Sequence, residues 1–442
     1  MKKVMGVDSS TQSVKVVVRD AESGALIASA SRPHPDGTEV DPAHWWSALQ
    51  LATADVGGLA DIEAISIAGQ QHGMVVLDEN GEVIRPALLW NDTRSSAAAE
   101  ALNAEFPKIH ELVGSKLVAS FTVTKLRWLR DNEPENAKRV RAVALPHDWL
   151  SWRLSGSTDI NDLFTDRSDA SGTGYFDPRT NAYRMEIIEA TLGHSSVVLP
   201  RIVDSTAFGF DDGVLRIGAG AGDNAAGALG VGAQVGDLVI SLGTSGTAFV
   251  VSSTPTSDST GEVAGFADAT GNFLPLACTL NAAKIFASTA KLLNLTLEEF
   301  GEQALLANPG SDGLTLLPYF DGERTPNLPD ARGQLSGITH QNFTTPNICR
   351  AAIEGVLNGL AYAADALTKL GVQYHRILII GGAAQNLAVQ QIATEIFKKP
   401  ITIPPIGEYV ADGAAKQAAW ALLGSEQPPA WSLGESKRLG HN

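Results

Sequence analysis

The sequence predicts an α/β protein made of two similar domains, and three observations carry that prediction. Each half opens on a strand, a small polar turn and a second strand: GVDSSTQSVKVVV near the start, LVISLGTSGTAFVVS from residue 238. From residue 347 onwards, long helical patterns alternate with short buried strands, as a helix-covered sheet requires. At 442 residues the chain has room for two or three domains of roughly 100–200 residues each.

At the start of the chain, VMGV and VKVVVRD flank the turn DSSTQS, and ALIASA supplies a third strand. DPAHWWSALQLATAD reads as a helix with Asp41 as its cap and Pro42 at the first helical position. IEAISIAG is a strand, and GMVVLDENGEVIRPALLW reads as a hairpin turning at Glu79-Asn80-Gly81. Helices and loops then run to about residue 200. A second cycle begins after Gly236, and aligning DSSTQS with SLGTSG sets Thr11 opposite Thr244. This suggests a duplication, with domains at 1–230 and 231–442. The second half closes with a helix at 347–371, the strand RILIIGGA, the helix NLAVQQIATEIFKK, the strand PITIP and the helix EYVADGAAKQAAWALLG. From Ser425 the tail is rich in Pro and charge, and reads as a loosely held end.

Composition excludes several classes of function. Hydrophobic residues make up 44 % of the chain, ordinary for a protein that buries a large core. There are 33 Lys and Arg against 49 Asp and Glu, a net charge of −16, with no basic run. Neither a nucleic-acid surface nor an anionic membrane face fits that balance. The uncharged stretch 238–257 is broken by Gly, Ser, Thr and Pro, so it does not read as a membrane span. MKKVMGVDSS reaches Asp8 too soon for a signal-peptide core, and Cys278 and Cys349 lack CxxC partners. A cytoplasmic protein with no disulfide framework or zinc site is the expectation.

Four segments offer chemistry. The two Ser/Thr/Gly turns can present N–H groups and hydroxyls to phosphate oxygens, although ordinary hairpin turns share that composition and no GxxxxGK[ST] loop occurs. IIGGAAQN removes side chains at Gly381 and Gly382 just before a helix that starts near Asn386, where the helix dipole favours an anion; a tight turn alone also needs such glycines. IAGQQHGMV sets Gln70, Gln71 and His72 at the end of a buried strand, a position that commonly lines a binding crevice, here for a polyhydroxy compound. Trp45 and Trp46 read as packing residues, and Trp90 as packing or a sugar-face contact. Last, IGAGAGDNAAGALGVGAQVG holds one charge, Asp223. It is either a helix N-cap or a general base in a small-residue crevice.

Taken together the chain resembles the FGGY carbohydrate kinases, and within them the branch that phosphorylates D-xylulose. The matching pieces include GVDSSTQSVK, IAGQQHGM, LLWNDTR, PHDWL, DRSDASGT, GAGDNAAG, SLGTSG, LPYFDGERTP and IIGGAAQN, in family order. The resemblance implies two RNase H-like, actin-type ATPase domains with ATP, Mg²⁺ and the sugar in the cleft between them. It implies that Asp223 is the catalytic base, that Asp8 organises metal and phosphates, and that both carboxylates lie at the metal. Thr11, Gln12 and Ser13 from one turn and Gly243 and Thr244 from the other would hold phosphates. Gly381, Gly382 and Asn386 would hold adenosine, and Gln71, His72 and Asn224 the sugar. Gln71 stands where relatives often carry Met, and Asp412 stands where Leu is common. Another ketopentose, a polyol or gluconate would meet the same chemistry, and an actin-type ATPase without sugar kinase activity shares the fold. A homodimer is the family-level expectation.

Overall fold

In the computed structural model, which describes residues 2–440, strand–turn–strand recurs at the head of each half. In one unit the strand Lys3–Ser9 pairs antiparallel with Ser13–Asp20 and parallel with Ile62–Gly69; Leu26–Pro33 adds antiparallel to Ser13–Asp20. In the other, Asp237–Leu242 pairs antiparallel with Gly246–Val250 and parallel with Arg376–Ile380, while Phe273–Thr279 adds antiparallel to Gly246–Val250. One strand order is thus built twice, as the paired turns suggested. Ile401–Ile403 and Lys437–Leu439 extend the second sheet.

The units are discontinuous in sequence. The first holds the residues up to Gly232 with Gly265–Phe273 and Gly407–Ser432; the second holds Ala233–Ala264, Leu274–Ile406 and the residues from Leu433. The helix Tyr409–Leu423 falls in the first packing unit because it packs on Lys3–Ser9 and Ile62–Gly69. The central strands of the first unit are apolar on both faces because both are covered. Met5, Val7, Ile65 and Ile67 face a core with Trp45 and Leu49, and Val4, Val17 and Ala64 face Ala411, Ala415, Ala418 and Trp431. Small residues let the second of these layers close. A Cβ at Gly230 would stand 1.9 Å from the Tyr409 carbonyl oxygen, and one at Gly413 1.8 Å from that of Ala226. The helices Asp223–Val231 and Tyr409–Leu423 therefore cross backbone against backbone. In the second unit, the helix Thr345–Lys369 buries Ile353, Val356, Leu357 and Leu360 against its sheet.

Most sequence expectations for the elements hold. The helix Pro42–Asp55 is capped by Asp41, whose side chain accepts from Ala43 N at 2.9 Å. The turn at Glu79-Asn80-Gly81 forms, with Gly81 N donating to Asp78 O at 3.1 Å, but its arms meet only through isolated bridges, Leu77–Val83 and Met74–Leu88. Val75–Leu77 pairs with Ala142–Ala144 and Ala87–Leu88 with Glu39–Val40, and Pro86 has no N–H to continue a ladder. Asp412 is buried and pairs with Arg19 at 2.7 Å, which accounts for a charge where an apolar residue was expected. Among the described residues no helix is long and apolar enough to cross a membrane.

The tail corrects an expectation. Between Ser425 and residue 440 the chain is held, the last two residues lying outside the described ones: Trp431 is buried, its Nε1 donates to Ala21 O at 3.1 Å, and its ring fills the space a side chain at Gly24 would need. Composition misled because one large aromatic outweighs several polar neighbours in buried area. Trp431→Ala is expected to cost about 3 kcal/mol of the first unit's stability. Urea unfolding followed by fluorescence measures this, and a loss below about 1 kcal/mol would show the tail to be dispensable.

Candidate active site

Three parallel segments of the first unit end side by side. Asp8 on Lys3–Ser9 is in register with Ala68 on Ile62–Gly69, and Ala68 is in register with Ala221 on the short strand Ala221–Gly222. Several of the candidate residues lie at these ends: Asp8 with the turn Ser10–Gln12, Gln70 through His72, and Asp223. Ligands of open α/β sheets gather at such carboxyl ends. Asp223 opens the helix Asp223–Val231 as its first residue, the N-cap position falling to Gly222. Its carboxylate accepts the N–H and the side-chain amide of Asn224 at 2.7 and 2.8 Å.

Burial dominates both acids. It raises Asp8 to about 7, with the charge of Asp223 adding to the rise, Lys15 opposing it and Glu408 adding a smaller increment. Asp223 is raised to about 6 by burial, partly offset by the two Asn224 donors. Asp8 Oδ1 is buried with no hydrogen-bond partner among the described residues. An unmatched acceptor beside a second carboxylate is the donor set a hard divalent cation takes.

The turn after Asp8 is internally braced. Ser10 N and Oγ both donate to Ser13 O, and Gln12 O accepts from His34 N at 2.8 Å. The Thr11 hydroxyl donates to Gln70 Oε1 at 3.2 Å and accepts from Trp90 Nε1 at 2.8 Å. Trp90 therefore braces the turn. Gln70 Nε2 is buried without a partner among the described residues, and the bonds of Gln70 and Trp90 to the Thr11 hydroxyl were not part of the sequence reading of either residue.

Gln71 and His72 sit against the segment Ser168–Gly172. Gln71 Nε2 donates to Ser168 O at 3.1 Å, and a Cβ on Gly222 would lie 2.7 Å from that nitrogen, so Gln71 adjoins the residue before Asp223. His72 has φ +70°, a strained value for a side-chain-bearing residue. Its carbonyl accepts from Thr122 Oγ1 at 3.2 Å and from Lys125 Nζ at 3.3 Å. Nδ1 meets the Gly172 carbonyl at 2.5 Å and must donate there, since a carbonyl only accepts. Phe121 and Phe266 pack on the ring at 5.0 and 5.6 Å between centroids. Nothing in the sequence pattern marked Thr122 or Lys125, both of which reach a backbone carbonyl about fifty residues earlier, Lys125 donating also to the Ser120 carbonyl.

Behind these residues lies a buried ion group, His147, Asp148 and Asp169. PHDWL and DRSDASGT supply it, although the linear pattern marked no role for those motifs. His147 Nδ1 lies 2.5 Å from Asp169 Oδ2 and 3.2 Å from Asp148 Oδ1, while Nε2 faces the Ala219 carbonyl at 3.3 Å. The shortest of these is a charge-assisted hydrogen bond rather than a shared metal edge. Burial disfavours the imidazolium, but Asp148 and then Asp169 outweigh it and hold the ring protonated; burial in turn raises both carboxyls.

In the second unit the corresponding turn, Gly243-Thr244-Ser245, is exposed at Gly243 and Thr244 and anchored by Ala283 N to Gly243 O at 2.9 Å. Gly381 has φ +97° and would place a Cβ 2.5 Å from the Leu242 carbonyl oxygen, whereas a Cβ on Gly382 would meet nothing within 4 Å. Gly382 is thus open to a flat ligand. Asn386 caps the helix Leu387–Phe397 through Ala388 N at 2.9 Å, and its Nδ2 donates to Leu297 O at 3.2 Å. Leu297 and Leu387 are exposed beside it.

Residues 3–230 match the N-terminal domain of the FGGY family of carbohydrate kinases, and residues 238–422 its C-terminal domain. The chain is 45 % identical to the xylulose kinase of Streptomyces coelicolor, over 96 % of this chain and 89 % of that protein. It is similar to the solved xylulose kinase from Bifidobacterium adolescentis, with a TM-score of 0.90 and 44 % identity over 98 % of this chain and 95 % of that one. It also resembles the solved gluconate kinase from Lactobacillus acidophilus, with a TM-score of 0.91 and 25 % identity over 100 % of this chain and 94 % of that one.

Removing the imidazolium strands two buried carboxyls. His147→Leu is therefore expected to cost about 3–5 kcal/mol in denaturant unfolding. A loss under about 1 kcal/mol would mean that His147 is neutral and the ion group contributes little.

Proposed function

This chain belongs to the FGGY family of carbohydrate kinases and is an ATP-dependent carbohydrate kinase, and on that premise we propose that its sugar is D-xylulose and its products D-xylulose 5-phosphate and ADP. The identity of almost half the residues with a kinase named for xylulose supports the choice of sugar. The observation that carries the chemistry is Asp223, a carboxylate at the head of a helix, adjoining Gln71 and electrostatically coupled to Asp8.

Asp223 takes the proton of the attacking sugar hydroxyl as that oxygen bonds to the γ-phosphorus. The bond from phosphorus to the β,γ-bridging oxygen breaks, and its electron pair leaves with ADP. General-base help of this kind contributes ~10²–10⁴-fold. Gln71, His72 and Asn224 hold the sugar, the His72 ring being fixed in place by its Nδ1 bond to the Gly172 carbonyl. Backbone N–H groups of Thr11, Gln12 and Ser13, and of Gly243 and Thr244, receive phosphate oxygens. The Thr11 hydroxyl is already engaged on both sides, so its turn acts mainly through backbone. Adenosine lies over the open face of Gly381-Gly382, with Leu297 and Leu387 as apolar neighbours and Asn386 fixing the turn.

Mg²⁺ fits the first unit: Asp8 offers a buried acceptor without a partner, and Asp223 raises its pKa. When bound, the ion neutralises charge on the β- and γ-phosphates. Asp8 would hold it, with Asp223 close by. Dependence on ATP as phosphoryl donor argues for a cytoplasmic location.

ADP release with ATP and Mg²⁺ is expected to be fastest by far in kcat/KM with D-xylulose, against L-xylulose, D-ribulose, L-ribulose, glycerol and gluconate. Asp223→Ala should lower kcat by at least about 10²-fold. A different best sugar would reject D-xylulose, and ADP release indifferent to every sugar would reject sugar-dependent phosphoryl transfer. The base must be ionised, so kcat/KM should rise with pH through a limb near 6, the value burial sets for Asp223. Raising Mg²⁺ should move that limb to lower pH, because a cation favours the charged carboxylates. A flat profile from pH 5 to 7 at low Mg²⁺ would count against Asp223 as the base.

A further inference from the structure

The proposed base stands at the end of a short segment of small residues, so its position depends on how that backbone is held. Ala219-Gly220-Ala221-Gly222 leads into Asp223, and Gly220 has φ +85°. No other residue fits there: a Cβ on Gly220 would stand 2.3 Å from the His147 ring and 2.8 Å from the Ile67 carbonyl oxygen. Flexibility at that point would let the Asp223 carboxylate drift, and a displacement of about 1 Å can cost about 10²-fold in rate.

One side chain holds this point from the far end of the sequence. Gln417, buried on the helix Tyr409–Leu423, accepts from Gly220 N through Oε1 at 2.9 Å and donates through Nε2 to Gly220 O at 2.7 Å. Its carboxamide therefore matches both polar groups of a single glycine, as a neighbouring strand would. Ser66 Oγ donates to the same Oε1 at 2.5 Å, which fixes which end of the amide faces which group. His147 Nε2 meets the preceding carbonyl, that of Ala219.

We propose that Gln417 is a positioning residue for the transfer step: by clamping both the N–H and the C=O of Gly220 it holds the entry to the helix that carries Asp223. This rests on the reading of Asp223 as the base. Gln417 touches no reacting group, so its removal acts on the geometry of the base and leaves nucleotide and sugar binding intact.

The test is steady-state kinetics of the full chain with ATP, Mg²⁺ and D-xylulose. Gln417→Leu, Gln417→Glu and Asp223→Asn are each assayed well below their melting midpoints. Gln417→Leu should lower kcat about 10–100-fold with both KM values within about twofold of the parent. Gln417→Glu keeps the volume and the acceptor for Gly220 N and Ser66 but loses the donor to Gly220 O, so an intermediate loss of kcat is expected, again without a change in KM. If Asp223→Asn is inactive while both Gln417 variants keep the parent kcat, the clamp is overturned and the base stands. If both KM values rise along with the fall in kcat, Gln417 supports the fold at large and the positioning role is likewise overturned. An active Asp223→Asn would overturn both.

Discussion

Two carboxylates at the ends of neighbouring strands, Asp8 and Asp223, set the constraint to which the first unit answers. Asp8 is buried and Asp223 partly so, and the charge of Asp223 pushes the Asp8 carboxyl further up. The role proposed for Asp223 as base fits this, since a pKa raised to about 6 lets it be ionised near neutral pH and still accept a proton readily. The cost is an arrangement that the protein alone leaves unbalanced. Asn224 supplies two donors to Asp223, Lys15 eases Asp8, and one oxygen of Asp8 has no hydrogen-bond partner among the described residues.

Holding such a pair in place takes a backbone packed more tightly than ordinary side chains allow. The lone carboxylate among glycines and alanines at 217–236 is thereby explained. Gly230 meets the Tyr409 backbone, Gly413 meets that of Ala226, and Gly220 turns beneath the His147 ring. Larger residues would push the helix away from the sheet and the base with it. Where side chains do enter, they are charged or polar and bonded to backbone. Lys125 binds the His72 carbonyl, His147 faces that of Ala219, and Gln417 holds both groups of Gly220. Buried ions of this kind add little net stability, because desolvation offsets attraction. Their use here is to fix backbone positions around the strand ends.

Much of this was legible in the linear pattern, and the reasons are local. A Ser/Thr/Gly turn between two apolar runs can hardly be anything but a strand connection, and both such turns form. Asp41-Pro42 and Asn386 carry the chemistry of helix starts, and both cap their helices. Asp223 stood out because a single charge in a small-residue run calls for an explanation. Failures came where the partner lies far along the chain. The turn at Glu79–Gly81 was recognised, but its arms pair with strands from elsewhere. Asp412 had no account until Arg19 appeared beside it, and the tail was judged by its prolines and charges rather than by Trp431.

By itself, then, the sequence determined the elements, the duplicated strand order and the residue types at the strand ends, because hydrogen bonding within a few residues and the period of apolar side chains settle those. Only the tertiary structure decided which residues serve the site from a distance. Gln417 is 197 positions from Gly220, and its carboxamide has meaning only once the helix Tyr409–Leu423 is laid against Ile62–Gly69. The same holds for the return of Gly407–Ser432 to the first unit. Buried amides and ammonium groups take their roles from whichever unpaired backbone group the packing brings to them, and no local pattern encodes that meeting.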